Sequence, residues 1–378
     1  MRILLTNHHL EMYAGSELLT YELAKELIRL KHEVSVFTLF PGRISQNMTQ
    51  DLGIKVFDST SSHQLIPSNF DVMHCQHWPT FIFLQRSGFD IPTVFGFLGV
   101  LPPLENPPPL MGSEPPLWWG VSEEVLDNVA SIPGWGASKP IEPIRNWTVD
   151  NGSDKRQEGK QTQPSIAIVS NHFPKNYMES LRELSAEMDF ELEFFGLPHN
   201  PQPITVDTLV EFDAIITIGR TAITAISLGI PCLVFDQNGM DGWATPENYN
   251  SLKQRNFSGR TRKIFPTKSQ LRSILENIPK KEATYELRKL ALPHHNLTEN
   301  VNRIISLCGK AQEAKVKTTF PLATAVTLEY LERSLIIGKQ RDALVAERDA
   351  IKATLSWRVT RPIRSITRML SRQKYSNF

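Results

Sequence analysis

Apolar runs and amphipathic stretches alternate along this chain from its first residues. Residues 1–6 form a short run of the kind shown by a strand buried on both faces. Beyond a polar loop over 7–16, Leu18, Leu19, Leu23, Leu27 and Leu30 recur at helical spacing on one face. Lys31, His32 and Glu33 turn the chain into a second strand over 34–39. Further strands are predicted at 54–57, 71–75, 92–95 and near 118–122, where Ser122 is placed to cap a helix over 123–130. The second half repeats the alternation. Strands at 166–169, 192–195, 214–218 and 232–235 are separated by helices over 177–188 and 222–228, the latter stopped by Gly229 and Pro231. A polar, glycine-containing segment follows over 236–248, then helices near 249–254, 268–277, 284–291 and 298–311. Strand, helix, strand in this order predicts an α/β protein with parallel sheets.

The pattern breaks in three places. The stretch 106–116 is too rich in proline for a ladder or a helix and reads as a surface loop. Residues 151–163 are polar with no apolar period, which suits a linker between two domains. Beyond 313 the chain changes in kind. Leu328, Leu331, Leu335, Leu344, Ile351 and Leu355 mark a long helix, and from Ala350 onward only basic charges occur, among them Arg358, Arg361, Arg364 and Arg368. Trp357, Val359, Ile363, Ile366 and Met369 interleave with them. A basic amphipathic segment over 350–370 suits an anionic membrane surface, and equally a helix packed on its own domain or a partner.

A chain of 378 residues is long for one core. With 41 Lys+Arg against 40 Asp+Glu, net charge gives no support to nucleic-acid binding. Cys75, Cys232 and Cys308 have neither metal nor redox spacing, which fits a reducing compartment. No stretch approaches the ~18 apolar residues of a membrane span, and the opening residues read as a first strand and not as a signal. No Gly-x-Gly-x-x-Gly follows a strand, which argues against a dehydrogenase.

The chemistry concentrates at 215–248. A glycine at a strand end, an arginine fork and the open N–H groups of a helix start make Gly219, Arg220 and Thr221 suited to a phosphate. Gly219 to Ala222, Ala225, Gly229, Pro231, Gly239, Gly242, Thr245, Pro246, Glu247 and Asn248 follow one another in the order of a longer motif. This run resembles the nucleotide-sugar half of GT-B glycosyltransferases, in the family-4-like branch that carries G-R-[ST]-A-L-E-A, G-x-P and T-P-E-N phrases. The opening is similar to the first domain of the same group, with Ala14 and Lys31 in place of two glycines. Asp71-Val72-Met73-His74 and Val121-Ser122-Glu123 are further family-like phrases. The likeness spans about residues 1 to 310.

The resemblance implies two Rossmann-like parallel-sheet domains facing a cleft, with an amphipathic helical tail. Residues 1–150 would be the acceptor domain, 164–312 the nucleotide-sugar domain and 313–378 the tail. It implies sugar transfer from a nucleotide diphosphate donor to a glycan or lipid-linked acceptor in bacterial cell-surface polysaccharide synthesis. The setting would be cytoplasmic, peripheral to the inner face of the membrane, and no cofactor is expected beyond the donor itself. Asn171, Gly219, Arg220, Thr221, Asp241, Gly242, Glu247 and Asn248 are implied on the donor, and Gly15, Ser16 and Glu17 on the acceptor or a phosphate. No catalytic residue is assigned. His74, His77 and His172 are candidates, each set against the plainer reading of a histidine satisfied in the fold. His8 and His9, beside Glu11 in the first loop, could face an acceptor. His294 and His295 have no third ligand nearby for a metal. Three positions depart from the family: Leu98 stands where relatives carry a histidine, and Ile216 and Thr224 stand where retaining members carry Glu-x7-Glu. They leave open an alternative, a catalytically silent module that binds nucleotide sugar or glycan and scaffolds partner enzymes.

Overall fold

The structure, a computed structural model, describes residues 1–110, 116–148, 163–196 and 204–314, together with 347 and 350. Residues 151–162 of the expected linker and nearly all of the expected tail lie outside the described residues.

The first half comprises β1 (Arg2–Leu10), α1 (Gly15–Arg29), β2 (Glu33–Pro41), α2 (Arg43–Leu52), β3 (Lys55–Phe57), β4 (Val72–Gln76), α3 (Trp78–Arg86), β5 (Thr93–Phe97), β6 (Leu117–Gly120) and α4 (Glu123–Ala130). Its strands form one sheet in the order β3-β2-β1-β4-β5-β6, every pair parallel. β1 runs past the apolar residues through His8 and His9, because its register with β2 continues until Leu10 lies opposite Pro41. The loop expected to start at Asn7 therefore starts at Glu11. Two helices are absent from the periodicity reading. α2 is short and mostly polar, and α3 follows β4 at once, with Pro79 in its first turn where a missing N–H costs nothing. Ser122 caps α4 as expected, accepting the N–H of Val125.

The second half comprises β7 (Ser165–Val169), α5 (Lys175–Met188), β8 (Glu191–Phe195), α6 (Val206–Leu209), β9 (Ala214–Thr217), α7 (Gly219–Ser227), β10 (Cys232–Asp236), β11 (Gly239–Trp243), α8 (Tyr249–Gln254), α9 (Lys268–Leu275), α10 (Lys281–Ala291) and α11 (Leu297–Ala314). The sheet order is β11-β10-β9-β7-β8. β11 is antiparallel to β10, so the segment expected as loop over 236–248 is in part a hairpin strand. Successive strand residues face opposite sides, which divides the core. Ile215 packs with Ala222, Ile226 and Leu287 on one face. Ile216 packs with Leu181, Leu233 and Leu271 on the other.

The chain crosses between the sheets at 144–148 and returns with α11, which packs on α1 and on β4, β5 and β6. Glu26 of α1 anchors the return. Its carboxylate accepts from Arg29 Nε and Nη2 at 2.7 and 2.6 Å and from Thr298 Oγ1 at 2.6 Å. The Arg29 hydrogen bonds hold its pKa below the usual carboxylate value. A depressed pKa adds stability that is full above the unfolded-state value and is lost as pH falls through the folded-state value. Glu26→Gln is therefore expected to destabilise the protein near neutral pH by about 1 kcal/mol. Urea titrations of both proteins should converge in acid; a gap independent of pH would exclude the ionised carboxylate as its source.

Strand order reverses between β1 and β4 in the first sheet and between β7 and β9 in the second. The crevices outside the carboxyl ends of strands at such reversals are where open α/β sheets take ligands.

Candidate functional site

At the second reversal, Thr217 Oγ1 donates to the carbonyl of Val169 at 2.7 Å and ties β9 to β7. Gly219 follows with φ +59°, a left-handed value that suits glycine, and its N–H donates to Phe257 O at 2.9 Å. A side chain at 219 would meet no atom within 4 Å, so the space beside it is open. α7 starts here without a side-chain cap, leaving first-turn N–H groups beyond Gly219 to an anion. Arg220 reaches across to the first domain. Its Nη2 donates to Glu22 Oε1 at 2.7 Å and its Nη1 to Gly15 O at 3.4 Å, while Nε is buried with no partner. Thr221 is half-buried on the same turn. Neither replaced glutamate position supplies charge: Ile216 is fully buried, and Thr224 Oγ1 donates to Arg220 O at 3.1 Å.

After β7, Ser170 Oγ donates to Asp236, lying 3.1 Å from each carboxylate oxygen, and accepts the N–H of His172 at 2.9 Å. Asn171 and His172 are exposed at this end of the sheet. Burial pushes the Asp236 carboxyl up, against the pull of the Gln237 N–H, Ser170 and His172. Sequence alone does not single out Asp236, since an acid ending an apolar strand has no signature of its own.

The remaining donor candidates are held differently. Asp241 is fully buried in β11; Oδ1 accepts the N–H groups of Arg262 and Lys263 at 2.7 and 3.4 Å, and Oδ2 has no partner. Gly242 has φ +93°. The Asn248 amide organises its own turn, accepting from Thr245 N and donating to Trp243 O, each at 2.8 Å. Glu247 is exposed, and the Thr245 hydroxyl holds its carboxyl below the usual value.

At the first reversal, buried Glu17 accepts the N–H groups of Glu11, Met12 and Ala14 at 3.0, 3.0 and 3.1 Å and so shapes the β1–α1 loop. Burial raises its pKa against those same hydrogen bonds. Ser16 O accepts from Asn7 Nδ2 and Thr20 Oγ1, and Gly15 is exposed. His74 is a core residue: Trp119 Nε1 donates to its Nε2 at 3.0 Å, and burial pushes its pKa down to about 4. His77 differs. It sits at the end of β4 as the residue before α3, with φ +66°. Its Nε2 lies 3.4 Å from Glu105 Oε1, its Nδ1 is buried without a partner, and its ring is 5.5 Å from that of His9. Glu105 Oε2 accepts the N–H of Leu98 at 2.8 Å. Glu105 gives no signal in the sequence, because its neighbourhood is proline-rich and without periodicity. The β1–α1 loop thus joins His9 near the end of β1, against His77, to Gly15 at the start of α1, against Arg220.

Among the described residues no cluster of three or more His, Cys, Asp or Glu could hold a metal ion. His295 Nδ1 donates to Asn146 O at 2.6 Å and its Nε2 meets Tyr249 Oη at 3.2 Å, a structural role consistent with a pKa that burial lowers to about 3. The three cysteines are buried and free; burial raises the Cys75 thiol to about 11.

No protein-family model and no curated protein matches the chain. Solved structures do. A glycosyltransferase from Rickettsia africae is 14% identical over 82% of this chain and 98% of its own, with a TM-score of 0.54. Anabaena HepE in complex with UDP and glucose is 11% identical over 81% of this chain and 98% of its own, with a TM-score of 0.50. At such identities the likeness is one of fold, and the fold is GT-B: two α/β domains, the first sheet parallel and the second mixed.

Proposed function

We propose that this protein transfers a sugar from a nucleotide diphosphate donor to a glycan or lipid-linked acceptor in cell-surface polysaccharide synthesis. One observation carries the reading: Arg220 and the start of α7 border open space at Gly219, at the strand reversal of the second sheet. Cleaving the sugar–phosphate bond leaves negative charge on the diphosphate. A guanidinium fork beside helix-start N–H groups is suited to stabilise that charge as it develops. Arg220 Nη2 now donates to Glu22 Oε1, a contact that a phosphate oxygen would replace. Exposed Glu247 can accept from two ribose hydroxyls, with Asn171 and His172 in the loop after β7, Thr221 in the first turn of α7 and Gly242 in β11 of the same domain. The β1/β4 crevice, with Gly15 and Ser16 at the start of α1 and Glu17 holding the loop before it, receives the acceptor.

HepE, which shares the fold, forms its complex with UDP and glucose, and this supports a nucleotide-sugar donor here. Nucleotide release from UDP-, GDP- and dTDP-sugars tests the reading, and absence of binding to all three would sink it. The silent-module reading is favoured by Ile216 and Thr224, which supply no carboxylate. Binding without release would favour it over transfer. The basic segment over 350–370 is proposed to hold the protein on the cytoplasmic membrane face. Co-sedimentation with anionic vesicles, lost at high salt and absent with neutral ones, is the expected result.

A further inference from the structure

Resting on that reading, we propose that His77, oriented by Glu105, is the catalytic base that takes the proton of the acceptor hydroxyl. Its position is the first observation. His77 directly follows β4 at the strand reversal of the first sheet, on the domain opposite Arg220. Its backbone is the second. A histidine at φ +66° is uncommon and is held there by Thr80, whose N–H and Oγ1 donate to its carbonyl at 3.2 and 2.9 Å.

The hydrogen bonding is the third. Glu105 is fixed by the Leu98 N–H and presents its other oxygen to His77 Nε2. A proton on Nε2 facing that carboxylate leaves the lone pair on Nδ1, the buried atom without a partner. The separation of 3.4 Å is loose, as such contacts often are before substrate binds. A buried polar atom is seldom left unpaired, and a hydroxyl supplies the missing partner. The other two histidine candidates fit less well. His74 has its Nε2 engaged by Trp119 inside the core, and His172 lies on the donor side, where the leaving group departs.

The acceptor O–H gives its proton to His77 Nδ1 while its oxygen bonds to the anomeric carbon. The bond from that carbon to the phosphate oxygen breaks, and its electron pair leaves with the nucleotide diphosphate toward Arg220. Glu105 offsets the imidazolium charge, and the proton passes to solvent after product departs. A base on the acceptor side, with no carboxylate at 216 or 224, makes this a single displacement that inverts the anomeric centre.

The test uses UDP-, GDP- and dTDP-glucose with the full chain, measuring nucleotide affinity and nucleotide release, water serving as acceptor. His77→Asn keeps a residue that tolerates the left-handed backbone but carries no base. It is expected to bind the donor within about twofold of the native protein while release falls by roughly 10²–10⁴-fold. Glu105→Gln retains an acceptor for the Leu98 N–H and should also lose rate at unchanged affinity. The double variant should fall no further than His77→Asn, as for residues that act as one unit. Release by His77→Asn within about threefold of native overturns the assignment, as does Glu105→Gln at native rate if the first variant fails to fold. A native protein that binds donor without release also overturns it. A native protein that binds no nucleotide overturns the transferase reading itself.

Discussion

Arg220→Ala is expected to weaken binding of a nucleotide diphosphate by roughly 10- to 150-fold. That range is the equivalent of the ~1.5–3 kcal/mol that a hydrogen bond to a charged group contributes. The side chain is mostly enclosed, 17% exposed, so solvent screens its charge less than on an open surface. Its Nε lacks a partner, and Nη1 meets only a carbonyl at 3.4 Å, so the fork has capacity beyond Glu22. Arg220→Lys keeps the charge but loses the planar fork, and should fall between native and alanine. Arg260→Ala is the control. Arg260 also joins the domains, donating to Glu124 at 2.6 and 3.1 Å, but Glu124 stands on α4, away from the β1–α1 loop. Isothermal titration with UDP and UDP-glucose would compare the three. Equal losses for Arg220→Ala and Arg260→Ala would assign both to domain contacts and not to the diphosphate.

Trp147→Ala is expected to destabilise the protein by about 3–5 kcal/mol, the usual range for deleting a fully buried large aromatic. Trp147 is 0% exposed in the segment that crosses between the sheets. Around it, Arg145 Nη1 donates to Lys253 O at 3.0 Å, Asn146 Nδ2 to Asn256 Oδ1 at 2.9 Å, and Thr148 N to His295 O at 3.1 Å. A cavity here loosens both domains at once. Trp147 Nε1 also donates to Glu22 Oε2 at 2.9 Å, so the indole steadies the carboxylate that holds Arg220. Trp147→Phe keeps most of the packing and should lose only about 1 kcal/mol for that hydrogen bond, with some added loss for the smaller ring. Urea unfolding followed by tryptophan fluorescence and circular dichroism separates the two. An alanine variant within about 1 kcal/mol of native would mean the crossing segment does not bind the domains together.

The alternation of strands and helices was legible because buried parallel strands and amphipathic helices carry their periods in the apolar residues. The turn at Gly219 and Arg220, from the end of β9 into α7, was legible for a similar reason, since strand end, glycine, arginine and helix start are contiguous. What sequence could not reveal depends on contacts between distant residues. β1 reaches His9 because β2 continues beside it, although the added residues are polar. β11 exists because it pairs back on β10 around Gly239, whose φ of +120° and close approach to Lys263 leave little room for a side chain. His74 and His77 are three residues apart and look alike in the sequence. One receives a hydrogen bond from Trp119, the other faces Glu105, and neither partner is near in the chain. Asn248 lies within a motif implied to hold the donor, yet its amide hydrogen-bonds two backbone groups of its own loop. Glu22 carries no signal at all, because its meaning lies in reaching Arg220 across the domains.

The most direct measurement of the central claim is amide hydrogen exchange with and without a saturating nucleotide sugar. If the donor diphosphate sits at the start of α7, exchange should slow at Arg220, Thr221 and the residues beside them, with smaller protection at Asn171 and His172. The Arg220→Ala protein should lose this protection. Nucleotide-dependent protection confined to the β1/β4 crevice, with the 219–222 turn unchanged, would contradict the account and place the nucleotide on the other domain.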